Sequence, residues 1–254
     1  MPELALRAKF ALLKSKSSIV MILLASLIFV GGYNYAFFHN VFERYSAPGN
    51  LGFFISLAVL LFCFIAFFLG LVLNKFTFKP ILMFLFPAAA MASYFMNSYN
   101  VIIDTNMIEN SIMTDSREVF DLISRRLVVY FVLLGLLPAY LIYRIPIRCK
   151  STSKEILGRF KFLAVMLVLI VSNMLLMSEQ YASFIREQKD LRYYMNPLTF
   201  IYSSGKYVDE LLRVDHVGPR IPIAEDAYIT KNSDPRKLVV LVVGEATRAD
   251  HWSL

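Results

Sequence analysis

Five stretches of this chain, Ile19–Phe38, Leu51–Leu73, Ile81–Ile103, Leu127–Tyr143 and Phe162–Ser178, contain no Asp, Glu, Lys, Arg or His. Each is close to the roughly 20 residues that a helix needs to cross about 30 Å of hydrocarbon. A soluble domain could not hide them: 57% of the 254 residues are hydrophobic and only 18% are charged, so lipid has to solvate much of the surface. The fold class this implies is membrane all-α, with five transmembrane helices. The first stretch follows Arg7, Lys9, Lys14 and Lys16, the flank of a cleavable signal. It is too long for a signal h-region, and Gly31-Gly32 runs on into aromatic residues instead of a small-residue cleavage site, so it is read as a retained membrane helix.

The net charge of +7 invites a nucleic-acid reading, and the placement of the charges argues against it. Twelve basic residues lie before the first span and in the second–third and fourth–fifth connections, against Glu3 and Glu155 alone. The opposite short connections carry Arg44, then Arg117, Arg125 and Arg126. The positive-inside rule therefore puts the N-terminus in the cytoplasm and everything beyond Glu179 across the membrane. From Glu179 onward ten basic residues face eleven acidic ones, a net of −1. The basic excess is a topology signal, and no nucleic acid is expected as partner. Cys63 in a span and Cys149 in a cytoplasmic connection are read as unpaired structural thiols. The absence of Asp, Glu, Lys, Arg and His inside the spans speaks against an ion or proton route.

Three regions follow from composition: a transmembrane part over 1–178, an interfacial helix and linker over 179–236, and the start of a further domain over 237–254. In the external connection Asp104–Arg126, apolar Ile108, Ile112, Val119, Leu122 and Ile123 recur at helical spacing, and Thr114-Asp115 offers a cap for a second piece. Pro87 and Pro138 lie inside spans, where they are tolerated if neighbours satisfy the freed carbonyls. Tyr193, Tyr194, Phe200, Tyr202 and Tyr207 suit either the headgroup level or a connector packed on other structure. Residues 214–235, with Pro219, Pro222 and Pro235, read as a linker. Lys237–Val243 (KLVVLVV) before Gly244 is the pattern of a strand buried on both faces. Such a strand needs partners, so the chain is expected to stop just inside an incomplete α/β domain.

The string LVVGEATRADHWSL closes the chain. It resembles the start of the catalytic domain in bacterial lipid A phosphoethanolamine transferases, a family that includes the mobile colistin-resistance enzymes, within the alkaline phosphatase and sulfatase superfamily. The resemblance implies that Glu245 is a zinc ligand, a role a carboxylate oxygen can fill. It implies a threonine nucleophile beyond Leu254, so no catalytic residue is assigned within the chain. Thr247 is not that threonine, His251 is read as a local hydrogen-bonding residue, and Arg248 and Asp250 as support of the metal edge.

Asn110, Thr114 and Glu118 are spaced i, i+4, i+8, which would put an amide, a hydroxyl and a carboxylate on one helix face. By themselves these residues describe a solvated polar face more readily than a binding site. Their context, NMIENSIMTD, is similar to the family's periplasmic loop, where such residues hold the phosphoethanolamine donor, and Tyr99 matches a further substrate contact. A carboxylate suits the donor's ammonium group; amide and hydroxyl suit its phosphate.

The resemblance implies an inner-membrane transferase that moves phosphoethanolamine from phosphatidylethanolamine to lipid A, with zinc as cofactor and reduced binding of polymyxin-like cationic peptides as the outcome. A different acceptor, such as a core sugar or a periplasmic glucan, and a non-catalytic membrane module are the alternatives. The 254 residues alone are expected to lack turnover.

Overall fold

The computed structural model of the chain describes residues 16–45, 50–114, 120, 122–148 and 152–213. The expected linker over 214–235, the strand Lys237–Val243 and Cys149 lie outside the described residues. Four helices are long and apolar enough to cross a membrane, or five if one bent pair counts as a single span. The expected five spans are therefore present, but the first is broken. Helix α1 (Ser18–Tyr33) gives way at Asn34 to α2 (Tyr35–Tyr45), which departs at 59°. At 1.5 Å per residue α1 alone covers only about 24 Å, so part of α2 completes the crossing.

The bend has a chemical cause. Asn34 is fully buried, and its amide nitrogen donates to the Phe29 carbonyl (2.9 Å) and to the carbonyl of distant Asn196 (2.6 Å). Continuing the helix would pull that side chain off both acceptors. Ala36, whose N–H has no helical acceptor this near the start of α2, donates instead to the Asn97 side chain at 3.0 Å.

Helix α3 (Leu51–Val72) packs against α1, and α4 (Phe78–Tyr99) packs against the fourth span. The span expected to run to Ile103 ends four residues sooner. Asn100 takes a left-handed backbone (φ 52°), which Asn tolerates better than most residues, and its carbonyl and side-chain oxygens both accept from the Tyr194 hydroxyl. Helix α5 (Thr105–Met113) follows, capped by the Asp104 carboxylate, which accepts from Met107 N at 2.9 Å.

Helix α6 (Arg125–Arg144) carries a π-helical segment, Phe131–Leu136, ahead of Pro138. Gly135 lies against α4, close enough that a Cβ there would come within 3.1 Å of Pro87 Cα. Small residues at such a seam let two helices approach where the hydrophobic effect offers no drive. Beside it, Phe29 stacks on Phe86 with ring centroids 4.7 Å apart.

Helix α7 (Thr152–Leu176) packs along α3 and begins ten residues before the expected span, through a charged turn in which Arg159 pairs with Glu155 at 3.7 Å. Beyond it come α8 (Ser178–Glu187), a 3-10 turn (Leu191–Tyr194) and α9 (Leu198–Arg213). This connector is tied to the bundle. Arg44 at the end of α2 binds Asp190 (2.8 Å), Tyr194 binds Asn100, and Ser203 donates to the Ile103 carbonyl (2.9 Å). At the other end of the bundle, Lys16-Ser17 pairs in parallel with Ile147-Arg148, and Lys79 donates to the Tyr143 carbonyl (2.8 Å).

Candidate functional site

The end of the bundle that holds α5 and the connector also holds the exposed polar groups singled out from sequence. Its foundation is the last turns of α4. Tyr94 is buried, its ring meets those of Tyr99 (6.2 Å) and Tyr130 (5.8 Å) edge-on, and its hydroxyl lies 2.9 Å from Ser124 Oγ. Ser124 in turn caps α6, accepting from Leu127 N at 3.1 Å. One tyrosine thus fixes the start of α6 beside the end of α4.

The consequence is a corner where exposed Arg125 and Arg126 meet the end of α4, which carries exposed Tyr99. Tyr99 stacks on Phe95 (5.8 Å, 27°), which orients its ring and leaves the phenol at the surface. Below the two arginines an open hollow of about 660 Å³ runs along Val129, Tyr130, Leu133 and Leu134. A cationic rim over apolar walls suits a molecule with a phosphate head and a hydrocarbon body.

Of the residues expected to hold donor, Asn110 is exposed on α5, and among the described residues no hydrogen bond uses its carboxamide. Thr114 is half-buried at the C-cap of α5 in extended conformation, and its hydroxyl donates to the Asn110 carbonyl. The continuous helical face expected from the i, i+4, i+8 spacing therefore stops at Met113. A threonine hydroxyl bonded back to a carbonyl one turn earlier competes with helix continuation. Thr114 remains next to Asn110, and a hydroxyl that donates can still accept through its oxygen. Asp115 and Glu118 lie outside the described residues, as do Glu245, Thr247, Arg248, Asp250 and His251. Among the described residues no group of three or more His, Cys, Asp or Glu could hold a metal ion, so they offer zinc no site.

A second polar layer, not anticipated from sequence, lies deeper. The Asn97 amide donates to Tyr130 Oη (2.9 Å) and Ser93 Oγ (3.2 Å), while its oxygen accepts from Ala36 N. This network ties α2, α4 and α6 together beneath the corner. The signal was there to be read: Ser93 and Asn97 are spaced i, i+4 inside an otherwise apolar span, a pattern that polar residues adopt when they bind across helices.

Comparison with known proteins agrees with this picture. The family described as phosphoethanolamine transferase EptA/EptB matches residues 61–212. The chain is 36% identical over 235 residues to phosphatidylethanolamine transferase Mcr-2 from Escherichia coli, covering 91% of this chain and 44% of that protein. It is 29% identical over 227 residues to phosphoethanolamine transferase EptA of Escherichia coli strain K12, covering 87% of this chain and 41% of the relative. The chain thus spans less than half the length of the curated relatives it matches. Among solved structures it is similar to the integral membrane protein lipooligosaccharide phosphoethanolamine transferase A (EptA) from Neisseria meningitidis. There the TM-score is 0.74 at 27% identity, over 78% of this chain and 37% of the other.

Proposed function

Since the chain belongs to the EptA/EptB family of phosphoethanolamine transferases, we propose that it serves the transfer of phosphoethanolamine from phosphatidylethanolamine to a phosphate of lipid A. The observation that carries this reading is the corner where exposed Arg125 and Arg126 line an apolar hollow and the adjoining end of α4 carries exposed Tyr99; Asn110 and Thr114 lie on α5, which packs against α9. Both substrates are lipids whose reacting phosphates sit at headgroup depth. A helical bundle that presents cations, amide and hydroxyl groups there holds such a phosphate without lifting the acyl chains from the bilayer. Tyr99, Asn110, Thr114 and Glu118 act as donor contacts in this reading, with the Glu118 carboxylate opposite the ammonium group.

The same reading places the chain in the bacterial inner membrane, with the α5 and α9 end in the periplasm. Its support is the charge pattern: Lys16, Lys79, Arg144 and Arg148 gather at the opposite end of the bundle. Glu245 contributes a zinc ligand, supported by the resemblance of its strand and turn. Zinc would supply Lewis-acid polarisation of the transferred phosphoryl group. The chain's described residues position lipid.

The test is mass spectrometry of lipid A from cells that express the complete gene product and have no other transferase of this kind. Added phosphoethanolamine is expected, falling at least about tenfold in Glu118→Ala, as for loss of one charge-assisted contact. Unmodified lipid A with a modified core sugar or glucan would replace the acceptor. Full modification by Glu118→Ala would remove that residue from the donor site. Metal analysis of Glu245→Ala, expected to have lost zinc, tests the ligand independently of turnover.

A further inference from the structure

A second hollow, of about 420 Å³, opens among α2, α3, α7 and α8. Leu57, Leu61 and Phe64 of α3, Met174 of α7 and Phe184 and Ile185 of α8 give it an almost wholly apolar wall. None of Tyr99, Asn110, Arg125 or Arg126 lines it. Leu57 to Phe64 spans about 10 Å of helix, and exposed Phe64 and Ile185 leave the groove open on the lipid side. Tyr181 turns its ring into the wall while its hydroxyl is engaged by Ser56 (2.7 Å) and Asn173 (3.3 Å), so no unpaired polar group interrupts the surface there.

The lining changes character where the connector crosses it. Gln188, Lys189 and Arg192 complete the groove: Gln188 accepts from Arg44 (2.5 Å), Arg192 donates to the Tyr193 hydroxyl (3.0 Å), and neither of the exposed cations Lys189 and Arg192 pairs with a carboxylate among the described residues. The acids on either side are engaged elsewhere: Asp190 by Arg44 at 2.8 Å, and Glu187 by Arg186 at 3.6 Å and Ser183 at 2.9 Å. Among the described residues no carboxylate lines the groove itself. Arg192, Met195 and Leu198 also wall a neighbouring hollow of about 360 Å³ bearing Thr199 and Tyr202, so Arg192 stands where the groove meets a second hollow that carries hydroxyl groups.

We propose that this groove is a binding site for an anionic glycerophospholipid, one acyl chain lying along Leu57, Leu61 and Phe64 and the phosphodiester held between Lys189 and Arg192. Two cations without an accompanying acid neutralise an anionic head and offer nothing to an ammonium group, so the site discriminates against the zwitterionic donor. The bound lipid would brace the connector against α3 and α7. This role is separate from transfer and stands or falls without it.

The experiment is native mass spectrometry of the chain released from nanodiscs made of equal parts phosphatidylglycerol and phosphatidylethanolamine. Preferential retention of phosphatidylglycerol is expected, reduced about fivefold for each cation removed in Lys189→Gln and Arg192→Gln, the equivalent of about 1 kcal/mol per cation. Leu61→Trp, which fills the groove, is expected to lower retention with helicity unchanged. A phosphatidylglycerol probe with a photoreactive acyl chain should label Leu57–Phe64 and Phe184–Ile185. Equal retention of the two lipids, preference for phosphatidylethanolamine, indifference to the charge removals, or label spread evenly over all spans would overturn the proposal.

Discussion

The hydroxyl of Tyr33 in α1 donates to the carbonyl oxygen of Leu134 in α6. Leu134 lies four residues before Pro138, which has no N–H to return, and it sits in the π-helical segment where the regular bonding pattern is already shifted. In lipid no water replaces the missing donor, so a phenol from the neighbouring helix does.

Tyr33→Phe is expected to destabilise the bundle by about 1 kcal/mol, the usual scale of an interhelical hydrogen bond in a membrane. Pro138→Ala restores an N–H to α6 and should shrink that cost. A double-mutant cycle on thermal unfolding in detergent reads the coupling directly; strict additivity would mean that Tyr33 does not serve the proline.

Gly135 tests the α4–α6 seam. A Cβ there would meet Pro87 Cα at 3.1 Å and Phe131 Cδ2 at 3.3 Å, and the backbone atom cannot step aside cheaply. Gly135→Val should cost about 1–3 kcal/mol. Gly31→Ala, where nothing lies within 4 Å, should be neutral or stabilising. Melting temperatures of the two variants moving together would refute the seam.

The amide exchange between Asn34 and Asn196 holds the connector to the break in the first span. Asn34 donates to the Asn196 carbonyl (2.6 Å) and accepts from the Asn196 N–H (2.9 Å), both residues being fully buried. Asn34→Leu strands those groups, at a cost of about 1–3 kcal/mol. Hydrogen exchange should quicken through α8 and the 3-10 turn; protection equal to wild type would show the pair to be dispensable.

Tyr194 gives the connector an alkaline limit. Burial raises its phenol above the ordinary 10.0; Arg44 pulls it down and Asp190 adds to the rise. The native state therefore keeps this proton longer than the unfolded one, so the stability it contributes is fully present below pH 10.0 and is lost as pH climbs through the native value. Connector protection should fall on that alkaline limb in wild type. Tyr194→Phe should remove this step, and an identical profile in both proteins would assign it elsewhere.

How much of this was legible beforehand depends on whether the cause was local. The position of α5 was readable because Asp104 caps its start and apolar residues follow at helical spacing; its end at Met113 was not, because Thr114 and Asn110 fit a continuing face equally well. Tyr99, Asn110 and Thr114 were singled out through likeness to a family, whereas Arg125 and Arg126 entered only as topology charges. Their role at the hollow depends on Tyr94 holding Ser124, a contact across 30 residues.

Contiguous composition alone determined that this chain crosses a membrane several times and where each crossing lies, because the cost of exposing uncharged residues to water, or charged ones to lipid, is set residue by residue. The interruptions of those crossings belong to the tertiary structure. The bend at Asn34 needs Asn196, 162 positions away; the freed carbonyl of Leu134 needs Tyr33, 101 away; the left-handed end of α4 at Asn100 is held by Tyr194, 94 away. In a bilayer a backbone group released from its helix must find a partner in the protein, and only the packed bundle decides which one is within reach.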